Sequence, residues 1–131
     1  MLDVVDRVMA GSLDNGFVAA RPPGHHAEAD RAMGFCLFNN LAIGAEHLVR
    51  QHGVTRVAIV DIDGDLAAST AAELKAKGIE SLALQADVTV RSQIRKAVGD
   101  VIDAWGRLTI GVNNAGIGLW KDSLDHSDDD W

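Results

Sequence analysis

The sequence predicts an α/β fold: a three-layer, Rossmann-like parallel sheet of about four strands with helices on both faces. Three observations carry that expectation. Short apolar runs start near residues 17, 57, 82 and 108, helical periodicity fills most of the sequence between them, and the helical stretches close on Gly11, Gly53, Gly78 and Gly106. Strands separated by helices pair in parallel through right-handed crossovers, giving an expected strand order of 3-2-1-4. At 131 residues and 47% hydrophobic content, one α/β domain over residues 1–131 is the prior.

The elements follow in order. "LDVVDRVMAG" places Val4, Val5, Val8 and Met9 at helical spacing, with Gly11 as the stop. "FVAAR", residues 17–21, is too short for a helix and is closed by Pro22, Pro23 and Gly24, so it reads as a buried strand. The stretch from there to Asn40 is long for a connector, lacks periodicity and carries paired histidines, a combination that marks functional loops. Leu41, Ala45 and Leu48 share a helical face that runs to His52. The β-branched run Val57–Ile62 suits a strand covered on both faces. Asp63 or Asp65 can cap the next helix, which runs to about Lys77 with Leu66, Thr70 and Leu74 on one side. "SLALQA" is a third strand. Thr89 is the expected cap of a helix whose Ile94, Ala97, Val98, Val101, Ile102 and Trp105 form one apolar face. "LTIGV" is a fourth strand, "NNAGIGLW" leaves it through glycines, and the acidic end "KDSLDHSDDDW" is expected to fray.

Composition narrows the partners. Nineteen acids against twelve bases give a formal charge of -7, which repels nucleic acid and anionic membrane surfaces, and the sequence has no compensating basic patch. No apolar run approaches the roughly 20 residues that cross a bilayer, and "MLDVVDR" carries acids where a secretory signal carries bases. The single cysteine, Cys36, cannot form an internal disulfide, and its bland reading is a packed thiol. These features point to a cytoplasmic chain. The sequence contains no tyrosine, so no phenol is at hand as a proton donor.

In open parallel sheets ligands sit beyond the carboxyl ends of the strands. Those ends present residues 21–26, 61–65, 87–89 and 113–116, and every polar motif of interest falls there. From about Val57 to Trp131 the chain resembles the short-chain dehydrogenase/reductase family, in which "VDID", "ADVT" and "NNAG" occur in this order at strand ends. The resemblance implies NAD as cofactor. Asp61 would accept hydrogen bonds from the adenosine ribose and repel a 2'-phosphate, Asp87 and Val88 would lie beside the adenine, and Asn113, Ala115 and Gly116 would line the nicotinamide-side ribose. Two departures bear on activity. "RPPGHHAEAD" stands where the family has its glycine-rich pyrophosphate turn, and the family's catalytic tyrosine and lysine fall beyond the last residue.

Residues from about Leu2 to Asp63 resemble the zinc-dependent family of histone deacetylases and acetylpolyamine amidohydrolases, through "RPPGHHA", "MGFCLFNN" and "VDID". That resemblance implies His25 and His26 as general base and general acid on a zinc-bound water, and Gly34 and Phe35 as walls of the acyl-lysine channel. It also implies Asp61 as a hydrogen-bond partner of the first histidine and Asp63 as a zinc ligand. Asp65 stands where the family has a histidine ligand, so Asp63 and Asp65 supply at most two of the three protein ligands a catalytic zinc needs.

Both families use a strand ending in two aspartates one residue apart, so "VDID" is where one text can pass into the other in register. The expected object is therefore a chimera, with a deacetylase-like segment over residues 1–63 and a dehydrogenase-like segment over 57–131. Its expected function is a catalytically incomplete domain with at most weak NAD(P) binding, NAD being the cofactor and its site weak or vestigial. Two alternatives stand beside it: an oxidoreductase fragment completed by a partner chain, and a residual zinc-dependent amidohydrolase. The outer edge at the fourth strand is expected to invite a homodimer.

Overall fold

The computed structural model describes residues 1–116, 121, 122 and 124–127, and it is a mixed α/β structure. In chain order the elements are α1 (Leu2–Met9), α2 (Asn40–His52), β1 (Arg56–Asp61), α3 (Gly64–Ala76), β2 (Glu80–Gln85) and α4 (Arg91–Trp105). The helices and the two central strands lie where the apolar periodicity put them.

The centre is a β1-α3-β2 unit. The strands pair in parallel from Arg56 opposite Glu80 to Asp61 opposite Gln85, and the ladder continues with the Ala86 N–H donating to the Asp61 carbonyl at 2.8 Å. Helix α3 packs across both strands and buries Ala67 and Ala71, small side chains that let helix and sheet approach closely. Asp63 is its N-cap: one carboxylate oxygen accepts from the N–H groups of Asp65 (3.0 Å) and Leu66 (3.1 Å). Of the two caps the sequence left open, Asp63 is the one used. Helix α4 returns against β2 and buries Ala97 and Val101. Its last residue is tied down by polar contacts: the Trp105 indole N–H donates to Glu80 at 2.6 Å, and Arg56 donates to the Trp105 carbonyl at 3.3 Å.

Helix α1 packs mainly on α2, where buried Gly44 admits Met1. Helix α2 starts on Asn39, whose side chain accepts from the Ala42 N–H, and it ends at Gly53 with φ +65°.

Three expectations are corrected. First, Thr89 does not cap α4. Val90 occupies that position with no side-chain bond to the helix, because the Thr89 hydroxyl donates instead to Asp87 at 2.7 Å. Second, residues 17–21 form no strand, and Phe17 is 92% exposed. Third, residues 108–112 form none either, so among the described residues the sheet has two strands, not four in the order 3-2-1-4.

One physical cause accounts for the last two. The centre of "FVAAR" is Val18, Ala19 and Ala20, which offers little side-chain area, and the segment runs into prolines that cannot extend a ladder. In the expected order the fourth strand pairs only with the first, so losing one unseats the other. The face of α4 meant for that strand is left open, with Val98 and Ile102 exposed. With two strands the sheet has two edges, and the one on the side of the missing strands is that of β1, not that of a fourth strand. The expected glycine exit at Gly118 and the acidic end from Asp128 lie outside the described residues.

Candidate functional site

The histidine loop builds itself from its two ends. The Gly24 N–H donates to Cys36 Sγ at 3.0 Å, and the Asn40 amide donates to the carbonyls of Pro22 (3.2 Å) and Pro23 (3.0 Å). Asn39, while capping α2, donates to the Ala27 carbonyl at 3.1 Å. "RPPGHHA" and "FCLFNN" are thus two halves of one hydrogen-bonded knot. Cys36 is completely buried at its centre, as expected of a packed thiol. Met33 and Cys36 exchange backbone hydrogen bonds around Gly34 and Phe35, both at positive φ, a two-residue turn of the hairpin kind.

This knot presents His25 and His26 together on the surface, their ring centroids 4.1 Å apart at an interplanar angle of 52°. Gly34 lies against the second ring, where a Cβ would come within 2.6 Å of it. Phe35 is 97% exposed at the turn tip, so it lines no channel here. Asp61 makes no hydrogen bond to either histidine. Its Oδ1 accepts from the Asp63 N–H at 2.9 Å.

The zinc expectation can be tested on the donors. Asp63 spends one carboxylate oxygen on two helix N–H groups, and Asp65 is exposed on the first turn of α3. Among the described residues, no third histidine, cysteine or carboxylate joins them in a metal-sized group. The arrangement therefore does not fit a catalytic zinc, which needs three converging protein ligands.

The dinucleotide expectation divides. Parallel pairing brings Asp61 and Asp87 to the carboxyl ends of adjacent strands, with Val88 half-exposed beside the second. Next to them an open cleft of 330 Å³ is lined by Ile62, Asp63, Gly64, Asp65 and Gln85. Two of its five lining residues are carboxylates, and the first free N–H groups of α3 are already taken by Asp63, so this cleft repels a pyrophosphate. Asn113, Ala115 and Gly116 lie exposed in an irregular stretch, and nothing joins them to Asp61 or Asp87. The residues expected on the adenosine side stand at one edge of the sheet; those expected on the nicotinamide side do not join them.

Asp87 has its carboxyl held below the ordinary value, first by the Thr89 hydroxyl and then by the Thr89 N–H at 2.9 Å. Since the folded value is the depressed one, this loop gains stability above the ordinary carboxylate range and loses it as pH falls through the lowered value. Thr89→Val should move the Asp87 midpoint upward, read from its side-chain carbonyl shift in an NMR pH titration. An unchanged midpoint would remove the hydroxyl as the main cause.

One polar cluster escaped the sequence reading. Asp6 of α1 accepts at the same oxygen from His47 Nε2 and His52 Nε2 of α2, each at 2.6 Å. The two imidazoles, His47 foremost, hold the Asp6 carboxyl below its ordinary value. No motif signals this group. The aspartate is 41 residues from the first histidine, and the histidines are five apart, off the helical repeat of three or four.

Comparison with known proteins accounts for both halves. The histone deacetylase domain family matches residues 1–66, and the short chain dehydrogenase family matches residues 43–131. Among curated relatives, Histone deacetylase 5 of Arabidopsis thaliana is 52% identical over 66 residues, covering 48% of this chain and 10% of its own length. Polyamine deacetylase HDAC10 of Homo sapiens is 48% identical over 62 residues, covering 47% and 9%. A histone deacetylase-like amidohydrolase of Pseudomonas aeruginosa is 51% identical over 59 residues, covering 45% and 16%. The chain thus spans a small fraction of the relatives it matches. The two matched regions overlap over residues 43–66, from within α2 through β1 to the first turn of α3. The chain belongs to both families, as a chimera of a histone deacetylase domain segment and a short chain dehydrogenase segment that share β1.

Proposed function

We propose that this chain is a catalytically silent α/β unit, a single domain over residues 1–131, that retains weak affinity for the adenosine end of NAD. The observation that carries the reading is the parallel pairing of β1 with β2, in which Asp61 lies opposite Gln85 and Asp87 follows two residues further on, so that both fall at the carboxyl edge where parallel sheets take ligands. Asp61 has one oxygen engaged by the Asp63 N–H, leaving the other for a ribose hydroxyl. Catalysis is missing for separate reasons: the chain has no tyrosine to donate a proton, no glycine-rich turn for the pyrophosphate and, among the described residues, no set of three ligands at Asp63. Without a third ligand beside Asp63 and Asp65 to hold a water-activating metal, the exposed pair His25 and His26 lacks the nucleophile it would deprotonate.

Amide NMR spectra recorded during titration with NAD and with adenosine test this. Both ligands should shift residues 61–64 and 87–89 alike at roughly millimolar concentration, equivalent to about 4 kcal/mol, and Asp61→Ala should remove the response. Absence of shifts with either ligand, or detectable hydride transfer, would end the proposal.

The open β1 edge and the uncovered Val98 and Ile102 of α4 favour a second reading, in which another chain completes the sheet. A second copy, or a longer chain that restores the order 3-2-1-4, would cover this face. Sedimentation velocity over a range of concentrations distinguishes a monomer from that assembly.

A further inference from the structure

The Asp6, His47 and His52 cluster belongs to neither inherited site. Asp6 stands on α1, and both histidines stand on α2, distant in sequence from the loop of His25 and His26 and from the cap at Asp63. Their three ligand atoms lie within 4.8 Å of one another. The histidine side chains are about four-fifths covered, at 20% and 22% exposure, while Asp6 is half-exposed at 50%. The rings meet edge to face with centroids 5.5 Å apart, so both Nε2 atoms converge on one point beside the carboxylate.

We propose that this cluster is a divalent transition-metal site that staples α1 to α2. The donor set of two imidazoles and one carboxylate is that of borderline cations, zinc above all, whereas calcium and magnesium prefer all-oxygen shells. Zinc bonds of about 2.0–2.1 Å in tetrahedral geometry separate ligand atoms by roughly 3.3 Å. The present 2.6 Å spacings must therefore open by roughly 0.7 Å, a movement that the half-exposed Asp6 side chain can supply by rotating. On binding, the proton that each Nε2 shares with Asp6 moves to Nδ1 of the same ring or to solvent, and the freed lone pair faces the ion. The exposed side of Asp6 leaves the fourth position to water.

Zinc and cobalt(II) are the probes. Calorimetric titration of the full chain with zinc should give one site at micromolar metal, and cobalt(II) should develop the visible bands of a tetrahedral complex. His47→Gln, His52→Gln and Asp6→Asn should each weaken zinc binding more than about tenfold, the loss that even an outer-shell change brings. Asp63→Asn, which keeps a good helix cap, should leave it intact. In the unaltered chain, zinc should shift the ring signals of His47 and His52 in NMR spectra while those of His25 and His26 stay in place, a readout that does not depend on any variant folding. No uptake at micromolar zinc, or uptake that follows Asp63 or shifts His25 and His26 instead, would overturn the proposal.

Discussion

Replacing Gly24 by alanine should dismantle the histidine loop and cost about 3 kcal/mol. Two independent terms set that figure. Gly24 has φ +101°, where an L side chain strains the backbone by roughly 1–3 kcal/mol. The new Cβ would also sit 2.7 Å from both the Asn40 nitrogen and the Phe38 carbonyl oxygen, and 2.8 Å from the Asn40 amide. Backbone atoms cannot rotate aside as a side chain can, and overpacking of this kind costs about 1–3 kcal/mol more. The change would also displace the N–H that Cys36 Sγ accepts. Reaction of Cys36 with a thiol reagent is the direct measurement. The buried thiol should react slowly in the parent chain and at least about tenfold faster in Gly24→Ala, since 1.4 kcal/mol already shifts an opening equilibrium tenfold. Equal rates would mean that the loop is not held as described.

The second large effect is calorimetric. A folded protein of 13.9 kDa exposes about 6,700 Å² by the usual scaling with mass, and the unfolded chain about 20,200 Å². This chain exposes 10095 Å². It therefore buries about three-quarters of the area that folding normally removes from water. The core explains the shortfall: among the described residues the fully buried side chains are small, Cys36 and Ser81 being the largest, while Phe17, Phe35, Phe38 and Ile62 stay in solvent. A chain of this length normally unfolds with about 90 kcal/mol near 60 °C, and the reduced burial lowers the expectation to about 70 kcal/mol. Scanning calorimetry should find that smaller enthalpy, together with a broad transition and binding of an apolar dye to the native state. An enthalpy at the normal value with no dye bound would show that residues 17–21 and 108–112 are packed after all.

How much of this was legible depends on whether a feature was local. The helices were readable because their signals lie within a turn or two: Asp63 caps α3, Gly53 and Gly106 stop α2 and α4, and the apolar rows lie between them. The chimera was readable because its motifs are short and specific. Thr89 was misassigned because the same hydroxyl can cap a helix or bond to a carboxylate two residues back, and Asp87 is the stronger acceptor. The four-strand sheet was misjudged for a different reason. A strand is defined by its neighbour, so Phe17–Arg21 and Leu108–Val112 could look like strands by composition and still have no ladder to join. The Asp6 cluster was invisible for the same cause, since only the packing of α1 on α2 brings its members together.

The bonding of the histidine loop has a practical implication. The side-chain hydrogen bonds that shape residues 22–42 start and finish within that stretch, and none runs to β1, β2, α3 or α4. Such a segment behaves as a portable cassette: grafted between a host strand and a host helix, it should reproduce its own turn, its enclosed sulfur and its displayed imidazoles without any help from the recipient sheet.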